Sequence, residues 1–178
     1  MLAFSGRRGW AAAGVIYAGI VGLAPIVLRS DRSFGFVAII FLFAIVWATD
    51  VFAYFGGRAV GGAKLMPRVS PNKTWAGAIG GVVGGVAAGT SVAYASGVDK
   101  LVAVGIVALL LSVLTQAGDL FESAVKRRFG AKDAGSLIPG HGGLMDRLDG
   151  FLVAALVALL IGLLRQGPDA PAQGLLVW

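Results

Sequence analysis

Two consecutive stretches hold residues whose types and spacing suit chemistry: T-Q-A-G-D-L-F-E-S-A-V-K-R-R-F-G at 115–130 and K-D-A-G-S-L-I-P-G-H-G-G-L-M-D-R-L-D-G at 132–150. If a helix runs through the first, Asp119, Glu122, Ser123 and Lys126 fall at i, i+3, i+4 and i+7, on one face. In the second, Pro139-Gly140 and Gly142-Gly143 turn the backbone sharply around His141, the chain's one histidine. A helix then restarts near Leu144 and carries Asp146 and Asp149 on its first turn. One acid there would be an ordinary partner for the helix dipole. Two on one face, with Asp119 available from the neighbouring helix, suit a divalent cation. Mg²⁺ prefers carboxylate oxygens and usually takes one or two of them together with phosphate groups. The bland alternative for the first stretch is a solvated face with pairing such as Glu122 to Lys126. Flanked by glycines, His141 can ligate, hydrogen-bond a phosphate, or simply orient the turn.

A second polar segment, GGRAVGGAKLMPRVSPNKT at 56–74, has four cations (Arg58, Lys64, Arg68, Lys73) and no acid. Its Gly and Pro content is expected to forbid a regular helix. Exposed backbone N–H groups beside cations suit an anionic, phosphorylated ligand; an ordinary basic loop is the competing account. Just upstream stands Asp50, in WATDVFAYFGG. An acid at mid-membrane costs roughly 2.5–3.5 kcal/mol on insertion scales and less near the interface. Asp50 is therefore either functional or the buried partner of a cation such as Arg58.

Those residues need elements to hold them, and composition says where the elements lie. Of 178 residues, 57% are hydrophobic and 13% charged, with a mean hydropathy of +0.85; soluble domains carry about a quarter charged residues. The expected fold is all-α, one polytopic membrane domain over 1–178. About five transmembrane helices (10–28, 34–55, 75–96, 101–118 and 148–164) alternate with two polar cytoplasmic loops. The net charge of +6 fits basic loops facing anionic headgroups rather than nucleic acid. Absence of cysteine excludes disulfides and thiolate metal sites. One side of the bilayer receives Arg7, Arg8, the four cations of the 56–74 loop, Lys126, Arg127, Arg128, Lys132 and Arg147. The other receives Arg29, Arg32, Lys100 and Arg165. The richer side is assigned to the cytoplasm, with the amino terminus inside and the carboxyl terminus outside. The first span follows Arg7-Arg8 like a signal peptide, but its apolar run is longer and four spans follow, so an anchoring helix is expected. The tail, RQGPDAPAQGLLVW at 165–178, reads as a loose terminus. In the third span, glycines spaced by four (77/81, 80/84, 81/85, continued by Gly89) predict close helix packing rather than ligand binding.

The run at 123–149, S-A-V-K-R-R-F-G-A-K-D-A-G-S-L-I-P-G-H-G-G-L-M-D-R-L-D, resembles the signature of the phosphatidate cytidylyltransferases, also called CDP-diacylglycerol synthases. The segment D-V-F-A-Y-F-G-G-R … S-P-N-K-T-W-A-G is similar to that family's preceding part. The resemblance covers roughly residues 10–164. Members are usually longer, with further amino-terminal spans, so this chain looks like their carboxyl-terminal catalytic part, a short homologue or a truncated product. They often carry Glu in S-P-x-K-T-x-E-G where this chain has Ala76.

The resemblance implies a reaction of CTP with phosphatidic acid, giving CDP-diacylglycerol and pyrophosphate with Mg²⁺ and room for a second cation. It also implies a homodimer among membrane lipids, in a bacterial-type inner membrane with a cytoplasmic site. On that basis Asp119 and Asp146 are expected as metal ligands, with Asp149 as a third or as their support. Lys73, Lys126, Arg127, Lys132 and Arg147 would neutralise phosphates, Ser123 would donate a hydrogen bond, and Asp133, His141 and Asp50 complete the substrate set. Two rival enzymes stand beside this one, a CTP-dependent enzyme of another lipid phosphate and one of a polyprenol. So do a non-catalytic membrane subunit and an anion transporter, although no second copy of D-R-x-D supports the repeated halves a transporter needs.

Overall fold

Long runs of Leu, Val, Ala and Ile can satisfy their backbone in hydrocarbon only as helices or closed barrels. Here they are helices. The computed structural model describes residues 2–130 and 145–178, with side chains over 22–130 and 150–178 and at a few earlier positions. The order is α1 (Leu2–Ser30), α2 (Gly35–Val60), β1 (Lys64–Met66), β2 (Ser70–Thr74), α3 (Trp75–Ala95), α4 (Leu101–Arg128), α5 (Met145–Gln166) and α6 (Pro171–Leu176). The fold is that of an all-α polytopic membrane protein. Among the described residues α2, α3 and α4 are long and apolar enough to cross a bilayer. The apolar parts of α1 and α5 described there, Ala18–Ser30 and Gly150–Gln166, are shorter.

Helix α3 lies directly on α2. A Cβ built on Gly77 would sit 2.7 Å from the Ala53 carbonyl oxygen, and one on Gly81 would sit 2.8 Å from that of Thr49. The expected small-residue face is thus a backbone-to-backbone contact. At mid-height the Thr49 and Ser112 hydroxyls, both fully buried, meet at 2.7 Å and tie α2 to α4 beside Gly85. The interior is built from Phe41, Leu42 and Ile45 of α2, Val104 and Leu111 of α4, and Ala154, Ala155 and Ala158 of α5. Facing outward are Phe36, Trp47, Phe52 and Phe55 of α2 and Val102, Ile106 and Leu110 of α4, a belt that would be an aggregation patch in water and is an ordinary face toward lipid.

Two expectations need correction. Helix α2 does not stop at residue 55 but runs through Val60, because Gly56 and Gly57 pack on Ala76, Gly77 and Gly80 and extend the α2–α3 contact. Beyond that point the 56–74 segment holds no helix, as expected, and forms a hairpin. Strands β1 and β2 pair antiparallel, Lys64 opposite Thr74 and Met66 opposite Ser70. And the tail is not loose. It forms α6, with Pro171, Ala172, Leu175 and Leu176 buried.

The tail is held by Asp31, in the α1–α2 turn. One carboxylate oxygen accepts from the backbone N–H of Ser33 (2.9 Å) and Phe34 (3.1 Å), the other from Ala172 (3.0 Å) and Gln173 (2.9 Å). Arg165 adds to this clasp, donating to the Gly174 and Val177 carbonyls and stacking 3.6 Å from the Trp178 ring centre. Burial raises the Asp31 pKa, but the four N–H donors outweigh it and hold the group below its ordinary 3.8. A carboxylate depressed in the folded state stabilises above its unfolded pKa and loses that contribution as pH falls through the lower folded value. Asp31→Ala is expected to cost about 2–3 kcal/mol at neutral pH. The gap from wild type should narrow only below pH 3.8. Unfolding in detergent from neutral to acid pH checks both.

Candidate active site

On α2, Asp50, Ala53, Tyr54, Gly57 and Arg58 recur at helical spacing and form one wall of a cleft of about 580 Å³. Strand β2 supplies Asn72 and Lys73, and α4 supplies Gln116 and Asp119. Local chemistry sets these pieces. The Thr74 hydroxyl caps α3 by accepting from the Gly77 N–H at 3.1 Å. The same hydroxyl presses on Gly57, where a Cβ would approach it to 3.0 Å. The end of β2 is therefore seated between α2 and α3, and the adjacent Lys73 reaches across to α4.

There the Lys73 ammonium donates to one oxygen of Asp119 at 3.0 Å, with the two side chains 31% and 20% exposed. Neither charge is fully desolvated, so the pair is worth modest stability; removing one member still leaves the other in a poorly hydrated place. The second Asp119 oxygen faces α5. A Cβ built on Gly150 would lie 2.6 Å from it and 2.7 Å from the Thr115 methyl. Only glycine lets α5 come this close. The Asp119 carboxylate thus lies between a cation and the start of α5, the turn whose backbone carries Asp146, Arg147 and Asp149. Gln116 is pinned by its amide N–H donating to the Ala78 carbonyl at 3.2 Å. Arg58 donates to the Tyr54 hydroxyl at 2.9 Å.

Of the residues singled out from sequence, Asp50, Lys73 and Asp119 come together at this cleft. Lys126, Ser123 and Arg127 lie further along α4 and do not line it. Lys126 takes the bland i,i+4 arrangement with Glu122, at 3.3 Å. That contact is electrostatic and not an aligned hydrogen bond, since the Glu122 oxygen involved is buried without a hydrogen-bond partner among the described residues. Arg127 is exposed on the last turn of α4. The side chains of Asp146, Arg147 and Asp149, and the residues Lys132, Asp133 and His141, lie outside the described residues. Among the described residues no three His, Cys, Asp or Glu side chains group to hold a metal. Tyr54, Asn72, Gln116 and Gly150 were not anticipated. The helical period from Asp50 and the three-residue step back from Asp119 point to the first and third of these.

The cytidylyltransferase family profile matches residues 4–164. The phosphatidate cytidylyltransferase of Brucella suis is 55% identical over 165 residues, 93% of this chain and 61% of that protein. Those of Staphylococcus saprophyticus and Bacillus subtilis are 41% and 39% identical, over 79% and 77% of this chain and 55% and 51% of theirs. The chain thus spans about three-fifths of the length of the Brucella relative.

Proposed function

The chain belongs to the cytidylyltransferase family, and from that premise we propose that it transfers CMP from CTP to phosphatidate, giving CDP-diacylglycerol and pyrophosphate. The observation that carries the reading is the Lys73–Asp119 pair set against the first turn of α5. It joins a phosphate-neutralising cation to a carboxylate at the one place where two further acids, Asp146 and Asp149, arrive on the backbone.

A phosphate oxygen of phosphatidate is already a nucleophile. It attacks the α-phosphorus of CTP, the bond from that phosphorus to the bridging oxygen breaks, and pyrophosphate leaves. No side chain forms a covalent intermediate, so the protein's work is positioning and charge stabilisation. Lys73 neutralises phosphate oxygens. Lys126, Arg127, Lys132 and Arg147 would neutralise further phosphate oxygens, and Ser123 would donate a hydrogen bond to one. The chemistry of the donor set fits Mg²⁺: hard carboxylate oxygens from Asp119, Asp146 and Asp149, with Lys73 limiting repulsion among them. When bound there, the ion would supply Lewis-acid stabilisation of negative charge on phosphate. The reading places the site on the cytoplasmic side of a bacterial inner membrane, supported by the cation excess at this end, and includes a homodimer.

The test uses purified protein in detergent with CTP, phosphatidate and Mg²⁺. CDP-lipid is expected, lost with EDTA and lost in Asp146→Asn while that variant stays folded. Phosphatidate replaced by a polyprenol, or label from the γ-phosphate in the lipid, would assign the other lipid chemistry. Normal activity in Asp146→Asn would remove the metal assignment.

A further inference from the structure

The β1–β2 hairpin has two faces, and the cleft uses one. Burial alternates along β1: Leu65 is half-buried and lines the cleft, while Lys64 and Met66 on either side of it are exposed and do not. Past Met66 the chain reverses through Pro67 and Arg68, closed by the Val69 N–H donating to the Met66 carbonyl at 3.1 Å. Arg68 is also exposed and outside the cleft. Among the described residues neither Lys64 nor Arg68 has an ion pair or a side-chain hydrogen bond, and residues 56–74 contain no acid. Two cations therefore flank Met66, itself 43% exposed, on a face without counter-charge.

That face stands at the edge of the hydrocarbon. The Trp75 N–H donates to the Ala63 carbonyl at 3.0 Å, which fixes the base of the hairpin to the first residue of α3, a helix long enough to cross a bilayer. Trp75 is 54% exposed, and an exposed tryptophan at the end of a spanning helix belongs at headgroup level. From the Lys64–Thr74 pair to the Met66–Ser70 pair β1 advances two residues, about 7 Å. The headgroup layer outside the hydrocarbon is about 5–8 Å deep. Lys64 thus lies within that layer, and the long Arg68 side chain reaches back to it. Zwitterionic headgroups would leave the cations without net counter-charge. A nucleotide would leave Met66 without an apolar partner, and the cleft lies on the other face. Anionic headgroups over acyl chains satisfy both.

We infer that the outer face of the hairpin docks anionic phospholipids, with Lys64 and Arg68 on their phosphates and Met66 at the acyl boundary beside them. The hairpin also carries Lys73, which lines the cleft, so lipid of negative charge is concentrated against the cleft wall from the bilayer side. This stands on the place of the hairpin at the membrane boundary and not on the transfer reaction.

The chain has no cysteine, so Met66→Cys gives the full chain a single thiol for a fluorophore. In phosphatidylcholine nanodiscs, its quenching is compared for phosphatidylglycerol and phosphatidylcholine, each spin-labelled near the top of one acyl chain. Phosphatidylglycerol is anionic without being the proposed acceptor, so its signal reports the outer face and not the cleft. It is expected to be preferred at the label by about fivefold for each cation engaged. Lys64→Gln with Arg68→Gln should bring the preference near unity while keeping the quenching by phosphatidylcholine, and about 1 M salt should do the same. Equal quenching by the two lipids in the parent protein overturns the inference, as does an unchanged preference in the double variant. Loss of quenching by both lipids in that variant, the mark of a displaced hairpin, also overturns it. So does loss of the preference on adding CTP, which would assign these cations to the nucleotide. CDP-lipid formation by the unlabelled protein tests the reaction alone: preference without product keeps the surface and removes the reaction, and product without preference does the reverse.

Discussion

Under the CMP transfer proposed above, Asp119→Asn is expected to lower CDP-lipid formation by about 10²–10³-fold, the range seen when one preorganised electrostatic group is removed from a site of developing charge, while the protein stays folded in detergent. Asparagine keeps the shape of the side chain, and its carbonyl can still accept from the Lys73 ammonium, now at 3.0 Å from the carboxylate. What goes is the charge. Lys73 is 31% exposed, so water covers part of its loss and the stability cost stays near the surface-pair range, about 1 kcal/mol. The proposed Mg²⁺ site has no such substitute, since a neutral amide binds Mg²⁺ poorly. The loss should therefore include a raised Mg²⁺ requirement. Lys73→Met should behave differently, its main effect a raised KM for CTP. Near-normal turnover by Asp119→Asn would separate this carboxylate from the chemistry.

The sequence made the helices legible because their signal is local: apolar runs long enough to cross lipid, glycines every fourth residue, and a Gly-Pro-rich interruption after α2. It made half the site legible for the same reason. Asp119 and Asp50 are acids where acids are costly, and Lys73 sits in a loop without a counter-charge. The contacts that assemble them are not local. Lys73 meets Asp119 across 46 residues and Asp31 meets Gln173 across 142, and no period in the chain announces either. The tail was misread because Gly, Pro and Asp usually mark a loose terminus, and the buried partner that orders it stands between the first two helices. Gly150 was passed over because glycine beside an acidic turn has an ordinary explanation as a flexible joint. Its reason is the 2.6 Å approach of the Asp119 oxygen.

Gly85→Val is expected to destabilise the membrane domain by about 3–5 kcal/mol, the sum of an overpacked core and a broken buried hydrogen bond. A Cβ on Gly85 would lie within 2.4 Å of the Thr49 hydroxyl and 2.8 Å of the Ser112 hydroxyl. Both residues are fully buried, so neither can swing into open space. The effect belongs to this point and not to helical glycine in general: Gly19→Ala, with nothing within 4 Å of the added atom, should be neutral or slightly stabilising. A double-mutant cycle isolates the cause. Gly85→Ala alone should lose much of the same stability through its first carbon. Adding Thr49→Ala removes the nearer of the two hydroxyls that carbon meets, and Ser112 can then bond back to a carbonyl of its own helix, so the pair should recover part of the loss. Thr49 adjoins Asp50 and Ser112 stands one turn before Gln116, so the rescued variant should also regain CTP binding along with its unfolding midpoint. If Thr49→Ala deepens the defect instead, the three helices are not held at this node, and the cleft above it owes its shape to the glycine contacts nearer the hairpin.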